Sequence, residues 1–302
     1  MDRYRQPKQV EAKVSIHKGT LYVVATPIGN LEDISRRAVE TLARADLIVA
    51  EDTRHSGLLL QRLGLNVPMQ SLHDFNERGK TEAIIQTLLT GRQVALISDA
   101  GTPLICDPGY RLVQRAIAES INVIPIPGPC ALIAALSVAG LPTDRFLFNG
   151  FAPERGSARR ELLESLTQFP STMVFYETPH RIADFLSDAA VVFGAGRQAC
   201  VAREITKKFE SIYRDSLGNL HQLLAGHPEI QRGEFVVIIQ GAVEAEVRSR
   251  AEQTRLLKIL LGNSLSVKQA AAIASEITGS GRRELYKLAL EIAQNMRAGD
   301  DQ

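Results

Sequence analysis

Short runs rich in β-branched residues alternate with helical periodicity between residues 20 and 127, and this alternation constrains the fold most strongly. The segments TLYVVAT, DLIVAE, QVALISD and NVIPI predict strands, and SRRAVETLARA, KTEAIIQTLLTG and YRLVQRAIAES predict the helices between them. Strands that alternate with helices form βαβ units, whose sheets are mostly parallel. This part of the chain is therefore predicted to be an α/β domain with a mostly parallel sheet.

A second alternation follows, with denser glycine and proline between its elements. The segments RFLFNGF, TMVFYE, ACVAREI and FVVIIQG predict strands of a second, mixed sheet, and SARRELLESL and HRIADFLSDA predict helices. From residue 247 only helical patterns remain, with breaks at Gly262 and at residues 279–281. The predicted organisation is a flexible basic arm (1–19), an α/β domain (20–130), a second α/β domain (131–243) and a small helical domain (244–302).

Composition excludes several classes of protein. The three cysteines are widely separated and form no CxxC pair, which argues against a disulfide framework and a zinc site and favours a reducing cytoplasm. Apolar runs are too short to span a bilayer, so no membrane is predicted as a partner. The net charge of +1 gives no general attraction to DNA or RNA, but residues 248–297 hold nine Lys/Arg against four Asp/Glu. This basic segment is either a contact surface for phosphate or a solvated helical face.

Three glycine- or proline-containing loops each follow a strand of the first predicted sheet: TPIGN (26–30), SDAGTP (98–103) and PGPCA (127–131). A fourth loop, EDTRH (51–55), follows another strand. Each could be a plain turn, but parallel strands bring their carboxyl ends to one rim, so together the loops predict a ligand cleft. The segment GAGRQA (194–199) matches a dinucleotide fingerprint, yet a helix precedes it and a strand follows, which reverses the required order and predicts a turn.

The motifs ATPIGNLEDI, AEDTR, SDAGTPLICDPG, FYETPHR and VAREITK carry a resemblance to a known family. From about residue 21 to 241 the chain resembles the tetrapyrrole methylase superfamily of S-adenosylmethionine-dependent methyltransferases. Within it, the motifs resemble the bacterial methyltransferases that modify the ribose 2′-hydroxyl of a cytidine in the decoding region of small-subunit ribosomal RNA. The resemblance implies two α/β domains, with S-adenosylmethionine bound in the cleft between them. No metal is expected, because the sequence contains no cluster of metal-ligating residues.

The resemblance also places the cofactor on particular loops. The expected cofactor-binding residues are Pro27, Gly29, Asp99, Thr102, Cys130, Ala131, Tyr176 and Glu177. A thiolate relay through Cys130 is the alternative for that residue, but its apolar neighbours offer no base, so a small inert thiol is predicted.

Methyl transfer to a hydroxyl requires alignment of donor and acceptor and removal of a proton, which charged loops could provide. The expected catalytic residues are Asp52, Arg54, Glu177, Glu204 and Lys207, and the expected RNA contacts are Arg54, Arg203, Lys207, Arg282 and Arg283. For each of them, an ion pair that only holds a loop in place is the alternative.

The tail segment SVKQAAAIASEITGSGRRELYKLAL has the pattern of a helix-turn-helix whose second helix opens on two arginines. The resemblance implies small-subunit ribosomal RNA, in the assembled subunit, as partner, and we also expect a homodimer and no DNA. Two other functions stay open: a tetrapyrrole-type methyltransferase with a small acceptor, and a non-enzymatic RNA-binding protein. The basic tail favours an RNA acceptor over a small one, and cofactor binding would separate both enzymes from the third class.

Overall fold

The computed structural model describes residues 18–73, 76–242, 244–263 and 265–299, so most of the predicted basic arm lies outside the described residues. In these ranges the chain forms two five-stranded sheets with helices on their faces, followed by three helices. No helix in the described ranges is both long and apolar enough to cross a membrane.

The first sheet has the strand order β3-β2-β4-β1-β5, and every neighbouring pair is parallel, as predicted. Its strands are β1 (Thr20–Val24), β2 (Leu47–Ala50), β3 (Met69–Ser71), β4 (Val94–Ile97) and β5 (Asn122–Ile126). Its helices are α1 (Arg36–Arg44), α2 (Thr53–Arg62), α3 (Glu77–Leu89) and α4 (Tyr110–Ala118). All five strands therefore end at one rim.

Helices cover both faces of this sheet. Ile84 of α3 and Leu112 of α4 belong to the apolar core on one face, and Leu42 of α1 and Leu60 of α2 to the core on the other. The central strand β4 is buried at every position. Burial on both faces explains why its sequence is a continuous apolar run and not an alternating one.

The second sheet is mixed, as predicted, with the order β6-β7-β10-β8-β9 and a parallel pair only at β6 and β7. Its strands are β6 (Phe146–Phe151), β7 (Thr172–Glu177), β8 (Gln198–Arg203), β9 (Ser211–Ser216) and β10 (Phe235–Ile239). Its helices are α5 (Ala131–Val138), α6 (Gly156–Ser165), α7 (Ile182–Phe193) and α8 (Leu217–Gly226). The segment GAGRQA joins α7 to β8 as a turn, which confirms that it lacks the context of a dinucleotide loop.

The helix α5 follows the last loop of the first sheet but packs on the second. Leu132 and Leu136 share an apolar core with Val174, Val236 and Ile238 of β7 and β10. Helices α6, α7 and α8 cover the opposite face of the second sheet. From residue 131 onward the chain therefore packs on the second sheet and no longer on the first. The predicted domain limits stay predictions.

Three helices form the tail, α9 (Glu244–Gly262), α10 (Val267–Thr278) and α11 (Arg282–Gly299), with their own core that includes Leu257, Ala271 and Leu285. Ser266 and Gln269 form a capping box that starts α10, and Gly279 ends it in the left-handed conformation. Both predicted helix breaks therefore lie close to the observed ends of α9 and α10.

Five elements escaped prediction: α2, α5, α8 and the edge strands β3 and β9. In β3 and β9 no residue is fully buried. An edge strand with few buried positions carries too weak a period-two pattern to stand out from a loop.

Candidate functional site

A cavity of about 310 Å³ lies between the rim of the first sheet and the second sheet. Loops of the first sheet contribute Asp99, Thr102 and Cys130, and the second sheet contributes Tyr176 and Val236. This volume lies within the range of sites for small molecules. The predicted cleft between the two α/β units is confirmed.

Two of the predicted loops are joined directly. The backbone N–H of Thr26 donates to the carbonyl of Gly101 at 2.8 Å, and the N–H of Gly101 donates back to the carbonyl of Thr26 at 3.1 Å. The hydroxyl of Thr102 then donates to the carbonyl of Pro129 at 3.0 Å, which connects the third loop. The loops TPIGN, SDAGTP and PGPCA therefore converge on one rim, as their positions after parallel strands predicted.

The fourth loop, EDTRH, is partly helical, because α2 begins at Thr53. Asp52 is its N-cap and accepts the backbone N–H of Arg54 at 2.8 Å. The Arg54 guanidinium binds the same carboxylate at 3.1 and 2.7 Å and holds the pKa of Asp52 down at about 2. The backbone N–H of Asp52 donates to Asp99 Oδ1 at 3.1 Å, so this loop is attached to the cavity wall.

On the second sheet, Glu177 and Tyr176 end β7 at the cavity. The side chain of Glu177 is fully buried and pairs with Arg181 at 3.3 Å. Burial raises the pKa of Glu177, and the charge of Arg181 opposes this shift. The Tyr176 hydroxyl accepts the backbone N–H of Leu132 at 3.2 Å, which fixes the ring against the start of α5.

The motif REITK forms a strained loop beside the cavity. Glu204 and Thr206 have φ values of 51° and 66°, which are uncommon for residues with a side chain and for a β-branched residue are a true outlier. Lys207 Nζ binds Glu204 at 2.8 Å and Glu234 at 3.0 Å. Burial raises the pKa of Glu204, but the bonds from Lys207 and the Glu234 N–H outweigh burial and leave that pKa below its usual value.

This loop also contacts the first sheet. The backbone N–H of Asn30 donates to the Thr206 hydroxyl at 3.2 Å. A Cβ on Gly29 would lie 2.4 Å from Cγ of Lys207, so only glycine allows the stem of that lysine to lie this close. The TPIGN and REITK loops thereby close one end of the cleft together.

Six of the eight predicted cofactor residues line the cavity: Asp99, Thr102, Cys130, Ala131, Tyr176 and Glu177. Pro27 and Gly29 do not, but Ile28 between them does.

Among the predicted RNA contacts, Arg54 is exposed, as are Arg282 and Arg283 at the start of α11. Arg203 is buried and donates to the carbonyls of Arg232 and Phe209, which is a structural arrangement. Its RNA contact stays a prediction.

Asp107 lines the cavity but was not among the predicted site residues, although it stands within the motif SDAGTPLICDPG. Burial and the neighbouring charges of Glu51 and Asp99 raise the pKa of Asp107 to about 6. Its position just before Pro-Gly and a helix start was the only signal in the sequence. Across the described ranges, no three His, Cys, Asp or Glu side chains are grouped as metal ligands would be.

The fold and the cavity define a class: a protein of two α/β sheets with a site for a small molecule between them. Residues 20–221 match the family described as Tetrapyrrole (Corrin/Porphyrin) Methylases, and residues 248–293 match the RsmI C-terminal HTH domain. The chain belongs to the tetrapyrrole methylase family, and its cofactor is S-adenosylmethionine.

Named relatives extend the match over nearly the whole chain. It is 50% identical to the ribosomal RNA small subunit methyltransferase I of Pseudomonas aeruginosa, over 90% of this chain and 97% of that protein. It is 47% identical to the protein of the same name from Escherichia coli O157:H7, over 91% and 96%. A crystal structure of diphthine synthase has a TM-score of 0.58 at 14% identity, covering 74% of this chain and 90% of that one, and shows the shared fold alone.

The lining of the cavity suits S-adenosylmethionine. Apolar side chains of Ile28, Ile105 and Val236 offer a surface for a nucleoside, and the carboxyl groups of Asp99 and Asp107 offer an anionic side for a cation. S-adenosylmethionine combines an adenosine with a sulfonium and an ammonium group, so both halves of the lining have a counterpart.

Proposed function

We propose that the protein transfers a methyl group to the ribose 2′-hydroxyl of a cytidine in the decoding region of small-subunit ribosomal RNA. The observation that carries this proposal is the extent of the similarity. The relatives named ribosomal RNA small subunit methyltransferase I match about nine-tenths of the chain, including the tail, at 50 and 47% identity. Similarity to a protein with only the cofactor cleft in common would have ended before residue 248.

S-adenosylmethionine supplies an electrophilic methyl group when it is bound. The chain's own residues must align the acceptor hydroxyl, exclude water and take up or pass on the hydroxyl proton. We place the acceptor at the open side of the cleft, between the EDTRH loop and the REITK loop. Arg54, whose side chain is 90% exposed, is available there for a phosphate.

The other predicted catalytic residues have supporting roles in this proposal. Lys207 and Glu204 hold the REITK loop against the TPIGN loop, and Asp52 holds Arg54. Glu177 is buried and paired, so it orients the end of β7 beside the cavity. Arg203, at the start of the REITK loop, donates to the backbone carbonyls of Arg232 and Phe209 and so holds this loop in place.

The finer features of the partner belong to the same proposal. We place the reaction in the cytoplasm on the assembled small subunit, whose folded RNA would meet the cleft and the tail together. A homodimer is supported by large apolar side chains that are exposed on α5 and β6, namely Ile133, Val138 and Phe146. Light scattering of the purified protein checks the dimer.

The test supplies radiolabelled S-adenosylmethionine to the purified protein with three acceptors: small subunits from cells that lack the gene, the RNA extracted from them, and a tetrapyrrole. We expect label in the RNA of the subunits at one ribose that becomes resistant to alkaline cleavage. Label in the tetrapyrrole alone would establish the small-molecule alternative. Label on a base, or none in either RNA sample, would contradict the proposal.

A further inference from the structure

The loop that joins β4 to α4 holds Asp107 in a fixed position on the cavity wall. Leu104 and Cys106 adopt left-handed backbone conformations, with φ values of 73° and 66°. Such conformations cost about 1 kcal/mol or more each and persist only where the surroundings determine them. The path of residues 104–107 is thus imposed by the fold.

Both ends of the loop are anchored. At its start, Gly101 is bound to Thr26 by two backbone hydrogen bonds. At its end, the buried carboxylate of Glu77 accepts the backbone N–H groups of Gly109 at 3.2 Å and Arg111 at 2.9 Å. Glu77 thereby caps α4 and fixes the loop two residues after Asp107.

The groups around Asp107 come from three elements. Glu51 follows β2, Asp99 follows β4, and both act on Asp107 as negative charges, while the neighbouring Ser98 opposes the rise of its pKa. Cys106 and Tyr176 also face it, and burial together with the charge of Asp107 raises the pKa of each. The charges that act on this carboxyl are therefore carboxylates, and the other titrating groups are neutral near pH 7.

We propose that Asp107 recognises the positive charge of S-adenosylmethionine and that cofactor binding releases a proton from this carboxyl group. Asp107 lines the cavity on the same side as Asp99, in a cavity whose other walls are largely apolar. In such surroundings a cation is favoured beside the carboxylate and disfavoured elsewhere. The inference rests on the cofactor and not on the RNA acceptor.

The sign of the pH effect follows from linkage. Without a cation the pKa of Asp107 is about 6, so near pH 6 about half of the molecules carry the proton. A cation beside the carboxyl lowers that pKa, so binding expels the proton. Affinity must then fall as the pH falls below 6, by about tenfold between pH 7.5 and pH 5 if the pKa drops well below 5.

The experiment measures S-adenosylmethionine binding to the full chain by calorimetry at pH 6, in two buffers with different enthalpies of ionisation. We expect the release of about half a proton per cofactor. Asp107→Asn should abolish the release and flatten the affinity between pH 5 and 7.5. Asp144→Asn, at an exposed position outside the cavity, should behave as the unchanged protein.

Repeating the titration with S-adenosylhomocysteine, which lacks the sulfonium charge, identifies the cationic group. Loss of the proton release assigns the sulfonium, and its retention assigns the ammonium. No proton release by the unchanged protein, or an equal release by Asp107→Asn, would overturn the inference. A pH dependence confined to methylation, with cofactor affinity constant, would overturn it too, since Asp107 would then act on the acceptor. None of these binding results depends on whether RNA is methylated.

Discussion

The two walls of the cleft differ in the arrangement of their charged side chains. On the wall of the first sheet, burial together with the charges of Glu51 and Asp99 raises the pKa of Asp107 to about 6. On the wall of the second sheet, Lys207 lies between Glu204 and Glu234, and Arg181 pairs with Glu177. Like charges store unfavourable energy that a cationic ligand relieves, whereas paired charges hold a backbone in place. The first wall is thus built for a ligand and the second for rigidity.

The largest expected effect comes from the backbone that supports the first wall. Gly109 has a φ of 122°, and a Cβ there would lie 2.8 Å from Cδ2 of the buried Leu96. Gly109→Ala should lower the free energy of unfolding by about 3 kcal/mol, because strain and overpacking add. Denaturant unfolding measures this loss.

Gly64→Ala is the matched control for that substitution. Gly64 also has a positive φ, of 69°, but nothing lies within 4 Å of its Cβ position. Its cost should be about 1 kcal/mol, from backbone strain alone. Equal losses for the two variants would show that the contact with Leu96 contributes nothing.

The next effect concerns the anchor of the same loop. Glu77→Ala removes the acceptor for the N–H groups of Gly109 and Arg111, so it should cost about 2 kcal/mol of stability and weaken cofactor binding as well. Glu82→Ala, in the exposed pair with Arg115, should cost about 0.5 kcal/mol or less and leave cofactor affinity unchanged. If Glu77→Ala loses stability but binds the cofactor normally, the first wall does not need this anchor.

The sequence predicts much of the frame of this cleft but little of its electrostatics. The buried run VALI fixes β4, and the rule that parallel strands share a rim brings three loops together. By contrast, Asp107 gains its significance from burial and from the charge of Glu51, and Lys207 from its pairing with Glu234, and these partners are distant in sequence. Charge proximity of that kind depends on loop paths such as the left-handed turn at Cys106, which no periodicity encodes.

Removal of a carboxylate from the first wall should weaken cofactor binding without unfolding the protein. Asp99→Ala is expected to lower the affinity for S-adenosylmethionine about tenfold, which corresponds to roughly 1.4 kcal/mol. Calorimetry measures the affinity, and circular dichroism checks the fold. Unchanged affinity in a folded Asp99→Ala protein would remove this residue from the cofactor site.

Stability and methylation should respond differently at two cations, Lys207 on the second wall and Arg54 on the loop after β2 of the first sheet. Lys207→Ala breaks two ion pairs in a half-buried position, so it should cost about 1 kcal/mol of stability and reduce methylation more than cofactor affinity. Arg54→Ala should leave the unfolding transition in place and reduce methylation alone, because its side chain is exposed. If both variants lose cofactor affinity as much as methylation, neither loop acts on the acceptor.

The smallest effect is expected in the tail, which lies outside the cleft and separates an RNA acceptor from a small one. Arg282 and Arg283 open α11 and are exposed. Each phosphate that an arginine neutralises adds about 0.7 to 0.9 to the slope of log affinity against log salt concentration. The double variant Arg282→Ala/Arg283→Ala should therefore reduce that slope for RNA binding by up to about two, with cofactor affinity unchanged. Arg36→Ala/Arg37→Ala, at the equally exposed start of α1 beside the first sheet, should keep the full salt dependence of RNA binding. Equal slopes for the two double variants would make the basic tail a solvated face that does not touch RNA.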